Sequence, residues 1–324
     1  MGFRTTQILY VTAKLGLADQ LAPGPQTVAD LAEVVGADAS SLNRLLRALA
    51  SLEIVAQTNE GTFALTARGE LLRTDVPGSL HSLAILYGEP WLWQAYGQML
   101  HSVRTGKPGF DQVHGQSLYE FLEHNPSAGE QFHAAMSGYS ALETKAIVSA
   151  YDFTPYSTVI DVGGSQGALV AAVLQAHPHL KGIVFDLETI INQADQKFIR
   201  TDIAERIRFV AGDFFAGVPG KGDLYILKSV LHNWDDLAAR RILQSCHGNM
   251  PGGARLLVIE RVIPAVSEAS ESILFDMNML VVTGGRERTE AEYRTLLEKS
   301  GFQLIRIMPT QAPVSLLEAV PIIR

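Results

Sequence analysis

The stretch Thr158-Val159-Ile160-Asp161-Val162-Gly163-Gly164-Ser165-Gln166-Gly167-Ala168-Leu169-Val170 passes from a short apolar run, through a glycine turn, into a helical pattern that ends at His177-Pro178. Strand, glycine turn and helix in that order open a nucleotide-binding βαβ unit, in which missing side chains let a ligand lie against the backbone. Gly182-Ile183-Val184-Phe185-Asp186 reads as the next strand. It ends in an acid about 20 residues past the glycines, where a carboxylate can accept both ribose hydroxyls. The glycine pattern, D-x-G-G-x-x-G, is not the dinucleotide pattern G-x-G-x-x-G that aims a helix N-terminus at a pyrophosphate. S-adenosylmethionine carries an ammonium and a sulfonium and no phosphate, so the carboxylate of Asp161 suits it better. NAD or another nucleotide, and a tight turn that holds no ligand, are the alternatives at this point.

The chain of 324 residues is long enough for two domains with substantial cores, and 47% hydrophobic with 19% charged residues is ordinary globular composition. A formal net charge of −8 favours neither nucleic acid nor an anionic membrane surface. The single cysteine, Cys246, lies among Ile242, Leu243 and His247, and a core position is expected for it. No run approaches a membrane span or a signal peptide, so a reducing, cytoplasmic setting is expected.

Towards the N-terminus, residues 7–21 follow helical spacing, broken at Gly16. Thr27 is placed to cap a short helix that Gly36 stops, and Asp38 or Ser40 to open another with Leu42, Leu45, Leu46, Leu49 and Leu52 on one face. Two short strand patterns then flank Asn59-Glu60-Gly61, a hairpin turn. Helix, helix, hairpin makes a winged helix-turn-helix. Up to Pro90, however, six basic residues face nine acidic ones, and the second helix offers only Arg44 and Arg47. Phosphate binding needs a basic stripe, so the module is read as a dimerisation and pocket-closing domain, with a ligand-responsive regulator as the rival.

Residues 80–150 are helical and rich in aromatics, with a loop expected at 106–110 and a helix starting at Pro126. Beyond them, strands are expected near 207–211, 223–228, 255–260, 303–307 and 315–321, and helices near 235–248 and 290–300. This alternation gives a mostly parallel sheet covered on both faces. The fold class is therefore α/β, a Rossmann-like seven-stranded domain behind a mostly helical winged-helix domain. The expected division is 1–90 for the winged-helix domain, 91–150 for a helical linker and substrate-pocket region, and 151–324 for the cofactor-binding catalytic domain.

Ligands of such sheets bind at the carboxyl ends of the strands. Those ends bring Asp161, Asp186, Gly212-Asp213-Phe214, Lys228 with Leu231-His232-Asn233-Trp234-Asp235, and Glu260 to one rim. A histidine at the mouth of the fourth strand, facing a cofactor turn on the first, is read as catalytic.

Together with Gly284-Gly285-Arg286-Glu287-Arg288-Thr289, these motifs resemble the S-adenosylmethionine-dependent O-methyltransferases, which include plant caffeate and flavonoid enzymes, hydroxyindole O-methyltransferase and bacterial natural-product enzymes. The resemblance runs from about Gln7 to the C-terminus. It implies a homodimer joined through the winged-helix domain, and a hydroxyl of a small aromatic or enolic metabolite as methyl acceptor. His232 matches the general base, and Glu260 and Glu287 match the acids that bracket it. Gly163 and Gly164 would lie against the methionine part of the cofactor and Asp186 with Leu187 against the ribose. Gly212, Asp213 and Phe214 would frame the adenine, with Lys228 and Ser229 nearby. Phe132, Met136, Trp234, Asp235, Asp276, Met277 and Met279 are the candidates for the acceptor pocket. No metal, nucleic acid or membrane is expected as a partner, and the product is S-adenosylhomocysteine.

Two residues depart from the family pattern. Ser165 stands where glycine is usual, so its Cβ is expected to crowd the cofactor, and Asn233 replaces the more usual acid after the histidine. Relatives on this scaffold also include enzymes that hydroxylate or catalyse pericyclic reactions, and N- or C-methylation uses the same base; these are the alternatives to O-methylation.

Overall fold

A computed structural model of the chain describes residues 2–193, 202–265 and 270–322. The chain divides into two compact units, Met1–Met99 with Phe110–Ala141, and Leu100–Gly109 with Leu142–Arg324.

In the first unit the winged-helix pattern forms as its caps dictate. Thr27 accepts the N–H of Asp30 to start helix Val28–Val35, and Gly36, at φ 65°, ends it. Asp38, rather than Ser40, caps helix Ala39–Ser51 through the N–H of Ser41. A three-stranded sheet follows, with β1 (Gln26–Thr27) and β2 (Val55–Asn59) on either side of β3 (Thr62–Leu65). Leu17, Leu31, Leu46, Leu49 and Phe63 form its dry core. The expected loop at 106–110 is shorter. Gly106, at φ 70°, follows helix Met99–Thr105, and helix Gly109–His114 begins just past Pro108, a residue suited to a helix start.

The second unit is built on a seven-stranded sheet. Its strands are β4 (Thr158–Val162), β5 (Lys181–Asp186), β6 (Ile207–Ala211), β7 (Leu224–Lys228), β8 (Arg255–Glu260), β11 (Phe302–Pro309) and β12 (Ser315–Pro321). The order is β11-β12-β8-β7-β4-β5-β6, while β9 (Val262–Ile263) and β10 (Arg288–Thr289) form a separate parallel pair. The strands from β6 to β8 are parallel, and β12 runs antiparallel to both neighbours.

Both faces are buried, which is why the strands read as unbroken apolar runs. Leu256 and Val258 pack with Ile242, Leu243, Cys246 and Tyr293 on one side, whereas Leu257 and Ile259 pack with Val170 and Leu174 on the other. Cys246 is thus a core residue. From β4 the chain winds one way to β5 and β6 and then crosses to β7 and β8, so the carboxyl ends of β4 and β7 flank the topological switch point.

Candidate active site

At the end of β4 the chain turns on glycine. The N–H groups of Gly163 and Gly164 both point at the Phe185 carbonyl, 2.8 and 3.3 Å away. Gly163 has φ 76°, and a Cβ there would stand 2.7 Å from Val230; one on Gly164 would stand 2.9 Å from the Asp161 carboxyl group. Gly212 closes against the ring of Phe185 in the same way, at 2.5 Å. The rim is therefore a backbone ledge, at which Val230, Asp161 and Phe185 leave no room for a side chain on these three glycines.

Two acids border this ledge. Asp161 is 2% exposed, and its Oδ1 has no hydrogen-bond partner among the described residues. Burial raises its carboxyl to about 7, against the opposing pull of Lys228 and with a further push from Asp186. Asp186 takes the N–H of Ser165 at 2.8 Å and that of Leu187 at 2.7 Å, and its carboxyl too is raised by burial. Ser165 holds the left-handed conformation suited to glycine, φ 51°, with its side chain exposed. An orphaned buried carboxylate oxygen beside a bare glycine ledge fits a cationic group and has no place for a pyrophosphate. The donor set therefore suits S-adenosylmethionine.

The second half of the rim holds His232, in a single tight turn, Leu231–Asn233, just after β7. Glu260 ends β8, and its Oε1 accepts the N–H groups of Val230, Leu231 and His232 at 3.1, 2.8 and 3.3 Å. Its other oxygen lies 3.5 Å from His232 Nδ1. Glu287 Oε1 takes Nδ1 at 2.8 Å, and the Glu287 N–H is itself held by Asp276 at 2.7 Å. With Nδ1–H given to Glu287, Nε2 is the ring atom left to accept a proton. Both glutamates are about 1% exposed, and Glu260 Oε2 and Glu287 Oε2 have no hydrogen-bond partner among the described residues. Burial by itself lowers the proton affinity of the imidazole. The charges of Glu260, Glu287 and Glu143, with the Glu287 hydrogen bond, outweigh it and carry His232 up to about 9. Burial is also the main cause that lifts Glu260 to about 7, partly offset by His232.

A buried arginine clamps this turn. Arg288 donates to the carbonyls of Leu231 and Trp234 at 3.0 and 2.9 Å and pairs with Asp236. The Arg286 N–H reaches the His232 carbonyl at 2.8 Å, and a Cβ on Gly285 would lie 2.0 Å from that same oxygen. Phe275 stacks on the imidazole, its ring centroid 6.4 Å away at 25°, and Arg261 lies over Phe275 at 4.3 Å.

Several predicted ligand contacts have other work in the structure. Asp213 accepts the Phe215 N–H, and Asp235 caps helix Asp236–Asn249 through the N–H of Ala238. Asp276 holds Glu287, as above. Phe214 and Trp234 meet Phe215 edge-on, at 4.9 and 5.0 Å. Ser229 takes φ 54°, and its carbonyl receives the side-chain N–H of Asn233, so the asparagine braces the turn. On helix Glu271–Val282, Met279 is core and Met277 half-buried. Leu187 is exposed. Phe132 and Met136 lie in the first unit, on helix Pro126–Ala150.

Three residues around the histidine escaped the sequence analysis: Glu143, Phe275 and Arg288. Only Arg288 had a signal, its place inside the glycine-rich motif.

Comparison with known proteins places the chain. The family model of the O-methyltransferase domain matches residues 96–303, and that of the O-methyltransferase dimerisation domain matches residues 1–75. Phenazine O-methyltransferase PhzM of Lysobacter antibioticus is 40% identical over 99% of this chain and 94% of its own length. An 8-amino-8-demethylriboflavin N,N-dimethyltransferase of Streptomyces davaonensis is 36% identical over 93% of the chain and 88% of its own. Among solved structures, an O-methyltransferase from neocarzinostatin biosynthesis, in complex with S-adenosylmethionine and 2-hydroxy-5-methyl naphthoic acid, superposes with a TM-score of 0.80. It is 34% identical over 98% of this chain and 96% of that one. A glycine ledge bordered by two acids, a histidine bracketed by two glutamates and a dimerisation domain ahead of them are all accounted for at once: the chain belongs to the S-adenosylmethionine-dependent O-methyltransferases.

Proposed function

We propose that the chain methylates a hydroxyl of a small aromatic or enolic secondary metabolite, with His232 as general base and Glu260 and Glu287 as its supports. The observation that carries this is the bracket itself. One glutamate oxygen fixes Nδ1, three backbone amides fix the other glutamate, and Nε2 is left to face the acceptor.

S-adenosylmethionine, when bound, supplies a methyl group on a positively charged sulfur. Asp161, Gly163 and Gly164 would take its methionine part, Asp186 and Leu187 the ribose, and Gly212, Asp213, Phe214, Lys228 and Ser229 the adenine side. A free imidazole titrates near 6.5 and a phenol near 10, a gap of about 5 kcal/mol for complete proton transfer. The raised proton affinity of His232 narrows that gap. The same shift leaves the base mostly protonated at neutral pH, so turnover should rise with pH up to the midpoint of the histidine. Taking the proton while the methyl moves spares the intermediate charge separation. Trp234, Asp235, Asp276, Met277 and Met279 stand as the proposed acceptor-pocket residues of this unit.

The dimerisation domain supports a homodimer, and the acidic stretch up to Pro90 gives DNA no basic stripe. Among the described residues no helix is long and apolar enough to cross a membrane. The lone buried cysteine agrees with a proposed cytoplasmic site of action.

The test is calorimetric titration with S-adenosylmethionine and S-adenosylhomocysteine, followed by a panel of phenols with products read by mass. A gain of one methyl on oxygen is expected. His232→Ala should keep donor affinity and lose about two to four decades of turnover; unchanged turnover would remove the histidine from its role.

A further inference from the structure

Helix Pro126–Ala150 brings one acid to the catalytic unit that belongs to no motif. Glu143 is 3% exposed, and its Oε2 lies 2.7 Å from Nζ of Lys228, the last residue of β7. Both side chains are almost out of water, at 4% and 12% exposure. A buried charge needs its partner, and this pair sits between the two halves of the rim. On one side, β7 lies beside β4, and Lys228 is the cation that acts on Asp161 at the cofactor turn. On the other, the negative charge of Glu143 reaches His232.

We propose that Glu143 is a positioning residue, which holds the Lys228 ammonium at the junction of donor turn and histidine cluster and so tunes donor binding at one end and the base at the other. The proposal rests on the function given above, because it needs a cationic donor and a titrating histidine.

The charge balance explains why such a residue is required. Lys228 offsets Asp161, but an ammonium beside the ledge would also repel the sulfonium. Glu143 cancels that repulsion while leaving Lys228 in place. Around His232 the charged groups are Glu260 from β8, Glu287 from the turn before β10 and Glu143 from the helix; Arg261 stands behind Phe275, and Arg288 lies under the backbone of the turn. Among the described residues Glu143 pairs with Lys228 and not with the ring or its two direct partners, so it acts on the histidine through its field.

The discriminating measurement is the ratio of calorimetric affinities for S-adenosylmethionine and S-adenosylhomocysteine. The two share every contact except the methyl and its positive charge, so the ratio reports charge at the ledge. Glu143→Gln should lower the preference for the charged donor by about three- to tenfold. It should also move the alkaline midpoint of turnover down by about half a unit. Lys228→Met in the Glu143→Gln background should bring the ratio back to within about twofold of the parent, as a pair requires. Glu143→Asp, which keeps the charge and shortens the reach, should fold and give a smaller loss of preference. A lower melting temperature with ratio and midpoint unchanged, in either single variant, would make the pair purely structural and overturn the proposal. If the parent itself bound neither ligand, the assigned function would fall instead, so the two failures are distinct.

Discussion

Two buried glutamates on neighbouring strands of one sheet make opposite use of their charge. Glu318, on β12, lies opposite Leu257 of β8, only three residues from Glu260 at the strand's end. Arg306 binds its carboxylate through Nε and Nη2, both at 2.7 Å, and Arg255 adds a contact at 3.5 Å. Glu260 meets backbone and a histidine instead. Three backbone amides hold one of its oxygens, and the other faces only a histidine that can gain or lose a proton. An acid neutralised by permanent cations is a structural part, because nothing it touches titrates near neutrality. An acid paired with an imidazole keeps its charge available to chemistry, and the orphaned oxygen is the visible cost.

The contrast breaks first where the effect should be largest. Glu260→Gln should cost about one to two decades of turnover and draw the alkaline midpoint of the rate below 9, because the imidazole loses its largest attractive neighbour. Glu318→Gln should leave turnover within about twofold. If both variants lost activity alike, the distinction would be false.

The next effect lies at the donor turn, where stability and binding should separate. The carboxyl of Asp161 is raised to about 7 by burial, from near 4 in an unfolded chain, so the folded protein binds that proton more tightly. Stability then falls as pH climbs from about 4 to about 7 and stays lower above it. Asp161→Asn should abolish this slope, gaining about 2–4 kcal/mol at pH 8 and little at pH 4 while donor affinity drops. Thermal unfolding at the two pH values checks it, and equal gains at both would clear Asp161 of the linkage.

Smaller is the stability lost in Glu318→Gln, about 1–3 kcal/mol, since two half-exposed arginines lose their shared anion. Chemical denaturation measures it. Smallest is Ser165→Gly, which removes a side chain from a left-handed backbone and should stabilise the turn by up to about 1 kcal/mol. A several-fold gain in donor affinity from this change would show that the serine does crowd the ligand.

The parts that were legible in the sequence share one property, a local backbone demand. Gly163 and Gly164 announce a ledge because nothing larger fits, and Thr27, Asp38 and Gly36 announce helix ends through bonds to residues at most four positions away. The positions of the seven strands follow from apolar runs and their spacing. What stayed hidden depends on distant partners. Asp213, Asp235 and Asp276 each give a carboxylate oxygen to a backbone amide, as Asp186 does, and the sequence announced none of these bonds. Glu143 and Phe275 were invisible because a helical residue shows its face but not what a strand far along the chain will set against it.

Gly285 carries a consequence for anyone who would redesign this enzyme. Since its missing Cβ lets the following turn rest directly on the His232 carbonyl, main chain as well as side chains fixes the proposed base to the scaffold. Libraries that randomise 284–288 in search of new acceptors would return mostly inactive clones, whatever the acceptor. The diversity worth sampling lies on helix Glu271–Val282 at Met277, a proposed acceptor-pocket residue, with Phe275 and Asp276 kept because they stack on the histidine and hold Glu287.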